Sequence, residues 1–333
     1  MSRIGAGIDL IISGSEQLYG LTRCSLLTTR STGFFLGWLA HLWLADVALS
    51  LLLPLTALWP DRAYDWASVI AESVWLGLQK LFIDLNGAKV IVDGDPLPAG
   101  ESAIVVSNHV EWTDVYSIQE LAIRSGMLSR CRWFAKSQLR WVPGLGWGLW
   151  AMGMPLVSRE WTHDKAEMDR VFYGAIRKHW PIWLIAYSEA TRYTLEKHVE
   201  GAAWAKTHGK IMPKHLLFPR TKGFIACVQQ LRQAPHIKAV YDITIAYAHG
   251  KDFQNPPAFW QTLLSPNMGR DWAFYVHVER HELSTLPQTN EALARWLEHR
   301  WVEKGQRLEG LRKKLEQGQS WEPSSSRLKA KLK

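Results

Sequence analysis

Residues 104–125 read IVVSNHVEWTDVYSIQELAIRS and contain the change of pattern that decides the fold. The first residues have the composition of a buried strand, whereas the segment from Val115 onward has the apolar spacing of a helix. His109 and Asp114 lie between the two. Five residues of one continuous helix turn through about 500°, which would place these side chains on different faces, so they can meet only in a strand-turn-helix.

The pair of His109 and Asp114 is a candidate general base. A carboxylate bound to one imidazole nitrogen fixes the tautomer and leaves the other nitrogen to accept a proton near neutral pH. The same spacing recurs at His41 and Asp46, inside an apolar stretch with no strand before it. The spacing alone therefore does not identify a site, and a structural histidine remains the alternative interpretation.

The strand-turn-helix belongs to an α/β domain predicted over residues 89–305. Short β-rich runs alternate there with segments of helical length, which is typical of a mixed, largely parallel sheet flanked by helices. The predicted strands are KVIV, SAIVV, RWFA, PLVS, IWLIAYS, AVYDITIAY and FYVHVE, beginning at residues 89, 102, 132, 155, 182, 239 and 274.

An apolar stretch precedes this domain. Residues 33–59 contain only His41 and Asp46 as ionisable side chains. As a helix this stretch would span roughly 40 Å, against about 30 Å of bilayer hydrocarbon. It predicts a retained membrane anchor over residues 33–60, either one tilted spanning helix or a re-entrant hairpin bent at Asp46 or Pro54.

Two further segments flank the anchor. Residues 1–32 form an N-terminal segment, for which the sequence predicts no element. Apolar side chains at helical spacing predict an amphipathic helix over residues 61–88, packed on the domain or lying on a membrane.

The composition favours a lipid surface over nucleic acid. The chain has 19 Trp among 333 residues and a net charge of +8. An indole has an apolar body and one N–H donor, which suits a membrane interface. A basic C-terminal helix and tail is predicted over residues 306–333. The other basic residues are scattered and form no nucleic-acid motif, so nucleic acid is not an expected partner.

Charged and hydroxyl side chains follow several predicted strands. The carboxyl ends of strands are where open α/β sheets bind ligands, and arginines there suit a phosphate. Two further cations, Arg220 and Lys222, lie at the start of a predicted helix. The candidates at strand ends are Arg159 after PLVS, and Glu189, Thr191 and Arg192 after IWLIAYS.

Four ordered blocks resemble the 1-acyl-sn-glycerol-3-phosphate acyltransferase family, also called lysophosphatidic acid acyltransferases, in its eukaryotic branch. They are NHxxxxD at 108–114, a strand ending in Arg159, ExTR at 189–192, and PRTKGF at 219–224 followed by VYDITIAY. The resemblance extends from about residue 89 to 310. It implies a glycerolipid acyltransferase-like fold and an acyl-CoA-dependent transfer to a lysophospholipid, with no metal and no cofactor beyond the co-substrate acyl-CoA.

The resemblance also implies roles for single residues. His109 would deprotonate a glycerol hydroxyl that attacks the thioester directly, and Asp114 would orient the histidine. We expect backbone N–H groups after His109 to stabilise the oxyanion. The residues expected at the glycerol phosphate are Asn108, Arg159, Glu189, Thr191 and Arg192, with Arg220 and Lys222 as possible secondary contacts.

Two positions depart from the family pattern. Ala190 stands where the third block usually has Gly, which matters if the backbone there needs a positive φ. Glu111 adds a negative charge close to an anionic substrate.

The sequence thus predicts an integral membrane acyltransferase of the endoplasmic reticulum that makes phosphatidic acid from lysophosphatidic acid. Acylation of another lysophospholipid, such as lysophosphatidylinositol or lysocardiolipin, is the alternative within this class. A non-catalytic membrane-binding or remodelling protein is the alternative of another class.

Overall fold

The computed structural model describes residues 29–158 and 161–322. Within them the chain folds into a mixed α/β domain preceded by helices. Arg159, the tail beyond residue 322 and most of the predicted N-terminal segment lie outside the described residues.

The helices before the domain form a hairpin. Helix α1 (Thr29–Leu52) is 24 residues long and is apolar enough to cross a membrane. A turn at Leu53 and Pro54 leads through α2 (Leu55–Leu58) into α3 (Pro60–Lys80) and a π-helical turn, Leu81–Leu85. Of the two bends considered, the one at Pro54 is present. Asp46 lies inside the unbroken helix α1.

Every predicted β run contains a strand, and all of them except PLVS contribute to the main sheet. Its strands are β1 (Val90–Gly94), β2 (Ser102–Ser107), β3 (Cys131–Trp133), β6 (Trp183–Tyr187), β7 (Ile237–His249), β8 (Asp252–Phe253) and β9 (Trp272–Glu282). The run RWFA divides between β3 and a short strand β4 (Ala135–Lys136), which pairs with β5 (Leu156–Val157) in a small second sheet.

The main sheet is mixed, as predicted. The strand order is β1-β9-β7-β2-β6-β3, with β8 paired to β7. Strand β2 is central and lies parallel to both β6 and β7, whereas β7 and β9 are antiparallel. The carboxyl ends of β2 and β6 therefore meet at one edge, and the long strand β7 extends past them.

Helices cover both faces of the sheet. Side chains of a strand alternate between faces, so both faces of β2 are buried: Ala103 and Val105 on one, Ile104 and Val106 on the other. The first face packs against α3, α4 (Asp114–Arg124) and α9 (Phe259–Leu264).

The second face packs against α6 (Trp161–Lys178), α8 (Thr221–Leu231) and α11 (Asn290–Glu316). Helix α11 runs without a break through the predicted boundary between residues 305 and 306. The remaining helices are α5 (Leu145–Ala151), α7 (Leu195–Thr207) and α10 (Met268–Asp271).

Candidate active site

The site begins where β2 ends, and Asn108 fixes the direction of the chain there. Its side-chain amide donates to the Ile245 carbonyl oxygen at 3.0 Å, and its side-chain oxygen accepts from the Ile245 N–H at 2.8 Å. Asn108 is fully buried. Its side chain thus continues the pairing of β2 with β7 for one more residue.

His109 and Asp114 meet, and the chain between them is the predicted strand-turn-helix. Asp114 is the first residue of α4, and its Oδ2 lies 2.7 Å from His109 Nδ1. A carboxylate only accepts hydrogen bonds, so Nδ1 carries the proton and Nε2 is left as the basic nitrogen. This arrangement is the one that a histidine general base needs.

The Asp114 carboxylate is held from several directions. Its Oδ2 also accepts the backbone N–H groups of Val110 at 2.7 Å and Glu111 at 3.2 Å. Its Oδ1 accepts the Tyr247 hydroxyl at 2.6 Å. Burial, followed by the nearby Asp114 charge, raises the pKa of Tyr247 well above its usual range, so this phenol stays protonated and donates.

These contacts correct the expectation about the oxyanion. The first two backbone N–H groups after His109 point at Asp114, and the third, of Trp112, donates to the Glu111 side chain at 2.8 Å. The prediction that they face a substrate oxygen is wrong for this conformation. The physical reason is that the carboxylate at the start of α4 draws in the N–H groups of the preceding turn.

Tyr187 closes one side of the histidine. Its ring stacks on the His109 imidazole with centroids 4.0 Å apart and planes inclined by 13°. Tyr187 is the last residue of β6, next to β2 in the sheet, so the stack follows from the strand order. The His109 side chain retains 21% of its exposure, which leaves one edge open to a reacting group.

Glu189 lies buried beside this pair. It is 2% exposed, and its Oε1 accepts the Trp301 indole N–H at 3.2 Å. Burial raises the pKa of Glu189 to about 8, against the opposing effect of the hydrogen bond from Trp301. Glu189 is therefore a neutral carboxyl group at pH 7, and its carboxyl is held inside the domain.

The loop after β6 contacts His109 through a backbone hydrogen bond. The Tyr193 N–H donates to the His109 carbonyl oxygen at 2.8 Å. Ala190 adopts φ +58°, the left-handed conformation that favours glycine. The position therefore does need a positive φ, which is why the family usually has glycine there. Alanine adopts this conformation at a cost of about 1 kcal/mol.

Two cations lie at this edge of the site. Arg192 is 53% exposed and forms an ion pair with the Glu111 carboxylate. Lys197, on the first turn of α7, donates from Nζ to the Thr191 hydroxyl at 2.9 Å and to the Arg192 carbonyl oxygen at 3.1 Å. The structure thus joins Thr191 and Arg192 with a lysine that was not predicted.

The fourth block reaches the same loop. The Arg220 N–H donates to the Ser188 carbonyl oxygen at 2.7 Å, immediately before helix α8. The side chains of Arg220 and Lys222 are exposed. Three of the four sequence blocks therefore come together through hydrogen bonds around His109, whereas Arg159 lies outside the described residues.

The site residues missed from the sequence are Tyr187, Tyr247, Lys197 and Trp301. Tyr187 ends a predicted strand beside His109, a position that could have indicated a contact. Tyr247 and Trp301 are more than 100 residues from their partners along the chain, so no local spacing could have found them.

Two carboxylates and a histidine lie close together at a separate place in the domain. Asp242, Glu279 and His281 place their ligand atoms close together. Asp242 is already paired with Lys304, and Glu279 with Arg300 and Arg307. Because these cations neutralise the carboxylates, the group is a partly buried ion-pair network that ties α11 to the sheet.

A cleft of about 210 Å³ lies away from this site. It opens between the α2–α3 region and the α5–α6 region, with Tyr64, Arg132, Met152 and Trp180 among its lining residues. It contains none of the residues predicted to act in catalysis or in binding the phosphate.

The family models and curated proteins that match this chain are described as acyltransferases. The family model described as acyltransferase matches residues 89–248, and the one described as acyltransferase C-terminus matches residues 268–327. The chain is 31% identical over 246 residues to lysocardiolipin acyltransferase 1 of Gallus gallus, covering 74% of this chain and 63% of that protein. It is 28% identical over 235 residues to the probable 1-acyl-sn-glycerol-3-phosphate acyltransferase 5 of Arabidopsis thaliana, covering 70% and 60%.

The matched part thus spans less than two thirds of the length of these relatives. Among solved structures, the chain is similar to the 1-acyl-sn-glycerophosphate (LPA) acyltransferase PlsC of Thermotoga maritima. That match has a TM-score of 0.46 and 17% identity, and it covers 86% of this chain and 97% of the other.

Proposed function

Because the chain belongs to the acyltransferase family, we propose that it transfers a fatty acyl chain from acyl-CoA to the sn-2 hydroxyl of lysophosphatidic acid. The product is phosphatidic acid. The observation that carries the proposal is the His109 imidazole held by Asp114 at 2.7 Å, with Arg192 and Lys197 at the adjacent loop. A base beside a phosphate-binding edge suits an acceptor that has both a hydroxyl and a phosphate.

The proposed reaction is a direct transfer. The acceptor hydroxyl donates to His109 Nε2, which takes its proton as the oxygen attacks the thioester carbonyl carbon. The C–S bond then breaks, and the CoA thiolate takes the proton back from the imidazolium. Asp114 stabilises the imidazolium in between, because its carboxylate lies on Nδ1.

The acceptor phosphate would lie at the loop of residues 189–192. Arg192 and Lys197 supply positive charge there, and the exposed Arg220 and Lys222 increase it at longer range. Glu189 does not add a negative charge at pH 7, since burial keeps it protonated.

We further propose that the protein works as an integral membrane enzyme of the endoplasmic reticulum. Helix α1 is about 36 Å long at 1.5 Å per residue, enough to cross the hydrocarbon of a bilayer. Large apolar side chains are exposed along it, among them Leu36, Trp43, Leu44 and Leu51. A lysophospholipid acceptor partitions into the same bilayer, so the anchor would keep enzyme and substrate together.

A second candidate acceptor is a lysophospholipid with a phosphodiester, such as lysocardiolipin or lysophosphatidylinositol. Two observations favour it. Arg192 is already paired with Glu111, which lowers its attraction for a doubly charged phosphate monoester. Relatives that match this chain include lysocardiolipin acyltransferases of Gallus gallus and Danio rerio.

An acceptor panel tests the proposal. Purified protein in detergent micelles is given labelled oleoyl-CoA with 1-oleoyl lysophosphatidic acid, lysophosphatidylinositol or lysocardiolipin, and labelled phospholipid and released thiol are measured together. We expect equal amounts of both, with label at sn-2. Binding to liposomes without label transfer to any acceptor would instead support the non-catalytic membrane-binding alternative.

A further inference from the structure

The carboxylate of Glu111 occupies a position suited to a substrate anion. One of its oxygens, Oε1, accepts the Trp112 backbone N–H at 2.8 Å and also forms the ion pair with Arg192 Nη1. A guanidinium group and a backbone N–H in the turn before a helix are donors that bind phosphate oxygens in proteins. A side chain of this protein therefore uses the donors that a phosphate would use.

The position of Glu111 along the chain places this contact within the catalytic turn. Glu111 follows His109 by two residues, and its own N–H is bound to Asp114 at 3.2 Å. Its backbone is thereby fixed, while its side chain is 27% exposed and the Arg192 side chain 53% exposed. The ion pair is at the surface, so a ligand can reach and replace it.

We propose that Glu111 is a specificity-determining residue that competes with the acceptor phosphate for Arg192 and so disfavours phosphate monoesters relative to phosphodiesters. This inference rests on the proposed function, because it assigns the acceptor phosphate to the same loop.

The discrimination follows from charge. A phosphate monoester is close to doubly charged above pH 7, since its second pKa is about 6, whereas a phosphodiester has one charge. The Coulomb energy of repulsion from Glu111 scales with the charge of the ligand. Removing the Glu111 charge should therefore improve binding of the monoester by twice as much, on a logarithmic scale, as binding of the diester.

Glu111→Gln is the variant that isolates this charge. Glutamine has the same shape and keeps an oxygen that accepts the Trp112 N–H, so the turn is preserved. Glu120→Gln is the matched control, because Glu120 lies on α4, loses the same charge and is also paired with an arginine, Arg124. Glu111→Asp retains the charge with a shorter side chain and should behave nearly as the wild type.

The measurement is KM for 1-oleoyl lysophosphatidic acid and 1-oleoyl lysophosphatidylinositol at pH 7.5, at saturating oleoyl-CoA. For Glu111→Gln we expect KM to fall about fivefold for the first acceptor and about twofold for the second. An unchanged ratio of the two KM values, or the same change in Glu120→Gln, would overturn the inference.

A binding measurement separates this inference from the proposed reaction. In a His109→Ala background, lysophosphatidic acid in detergent micelles is titrated and tryptophan fluorescence is followed. Glu111→Gln should bind about fivefold more tightly than its parent. If the wild type transfers no acyl chain to any acceptor, the proposed function fails, and equal binding by the two proteins in this titration would overturn the role of Glu111 independently.

Discussion

The chain contains two histidines that are each followed by an aspartate five residues later, and the structure treats them differently. At residues 109 and 114 the chain leaves a strand, turns and enters a helix, and the two side chains meet at 2.7 Å. At residues 41 and 46 helix α1 is continuous. His41 there contacts the Ser73 hydroxyl at 2.9 Å, and the Asp46 carboxylate packs against Gly148.

The difference shows that the backbone conformation between the histidine and the aspartate, and not their spacing, decides whether the two side chains form a hydrogen bond. A turn shortens the path from His109 to Asp114, whereas a helix rotates Asp46 by about 500° away from His41. The surroundings differ as well. Asp114 accepts Tyr247 and two backbone N–H groups, while Asp46 Oδ1 has no hydrogen-bond partner among the described residues.

The largest effect should come from the two aspartates. Asp114→Asn removes the carboxylate that sets the His109 tautomer, and we expect kcat to fall about 100- to 1,000-fold. Asp46→Asn makes the same substitution in α1, and kcat should change less than about twofold. Initial rates of labelled phospholipid formation at saturating substrates measure both. Comparable losses in the two variants would mean that the pairs do not differ in function.

A buried carboxyl group beside His109 and Asp114 makes the stability of the protein depend on pH. Glu189 stays protonated in the folded protein up to about pH 8, whereas in the unfolded chain it ionises near 4.5. The unfolded state therefore binds fewer protons between these values, so this group makes the folded protein less stable as the pH rises from 4.5 to 8.

Glu189→Gln removes that dependence. Between pH 5.5 and 7.5, its free energy of unfolding should improve relative to the wild type by about 2 to 3 kcal/mol. Denaturant unfolding at both values measures the change. Glu200→Gln, an exposed control on α7, should show no such trend, and a flat difference for Glu189→Gln would contradict the burial of its neutral form.

The hydroxyl partners of the two aspartates give a smaller difference. Tyr247→Phe removes the donor to Asp114 and should lower the free energy of unfolding by about 2 kcal/mol and kcat by about tenfold. Ser50→Ala removes a hydroxyl that contacts the Asp46 carbonyl oxygen at 2.7 Å. That variant should lose less than about 1 kcal/mol and retain its kcat. A Tyr247→Phe protein with wild-type kcat would show that the hydroxyl does not support the pair.

The smallest effect concerns the backbone next to His109. Ala190→Gly relieves a left-handed alanine, but glycine has more conformational entropy in the unfolded chain, so we expect the free energy of unfolding to rise by about 0.5 kcal/mol. Ala203→Gly is the control, since Ala203 is exposed in α7 and the same substitution should cost about 0.5 to 1 kcal/mol there. Thermal unfolding of the two variants should shift in opposite directions, and a loss of stability in Ala190→Gly would contradict the strain.

Much of this architecture could be predicted from local pattern. Each of the seven predicted β runs contains a strand. The prediction succeeded because the pattern of apolar and polar residues that marks a strand is local in the sequence. The strand-turn-helix at His109 was predictable for a similar reason, since a β-rich run precedes it and apolar residues at helical spacing follow it. The order of the strands was not predicted, because it depends on pairing between distant segments.

The site was predicted less completely than the fold. Tyr247 reaches Asp114 only because β7 is long and extends past the end of β2. Glu111 and Arg192 meet because the ends of β2 and β6 are neighbours, a contact between residues 81 positions apart. The orientation of the N–H groups after His109 was predicted wrongly. Two of them donate to the Asp114 carboxylate, and this depends on the exact backbone conformation of the turn, which the sequence does not give.

The most direct test of the central claim is a paired substitution of the two histidines. His109→Ala and His41→Ala are purified in the same detergent, checked for equal thermal unfolding, and assayed with labelled oleoyl-CoA and lysophosphatidic acid. The account predicts that His109→Ala loses at least about 1,000-fold in turnover and that His41→Ala stays within about twofold of the wild type. Turnover by His109→Ala above a tenth of the wild-type value, or an equal loss in His41→Ala, would contradict it.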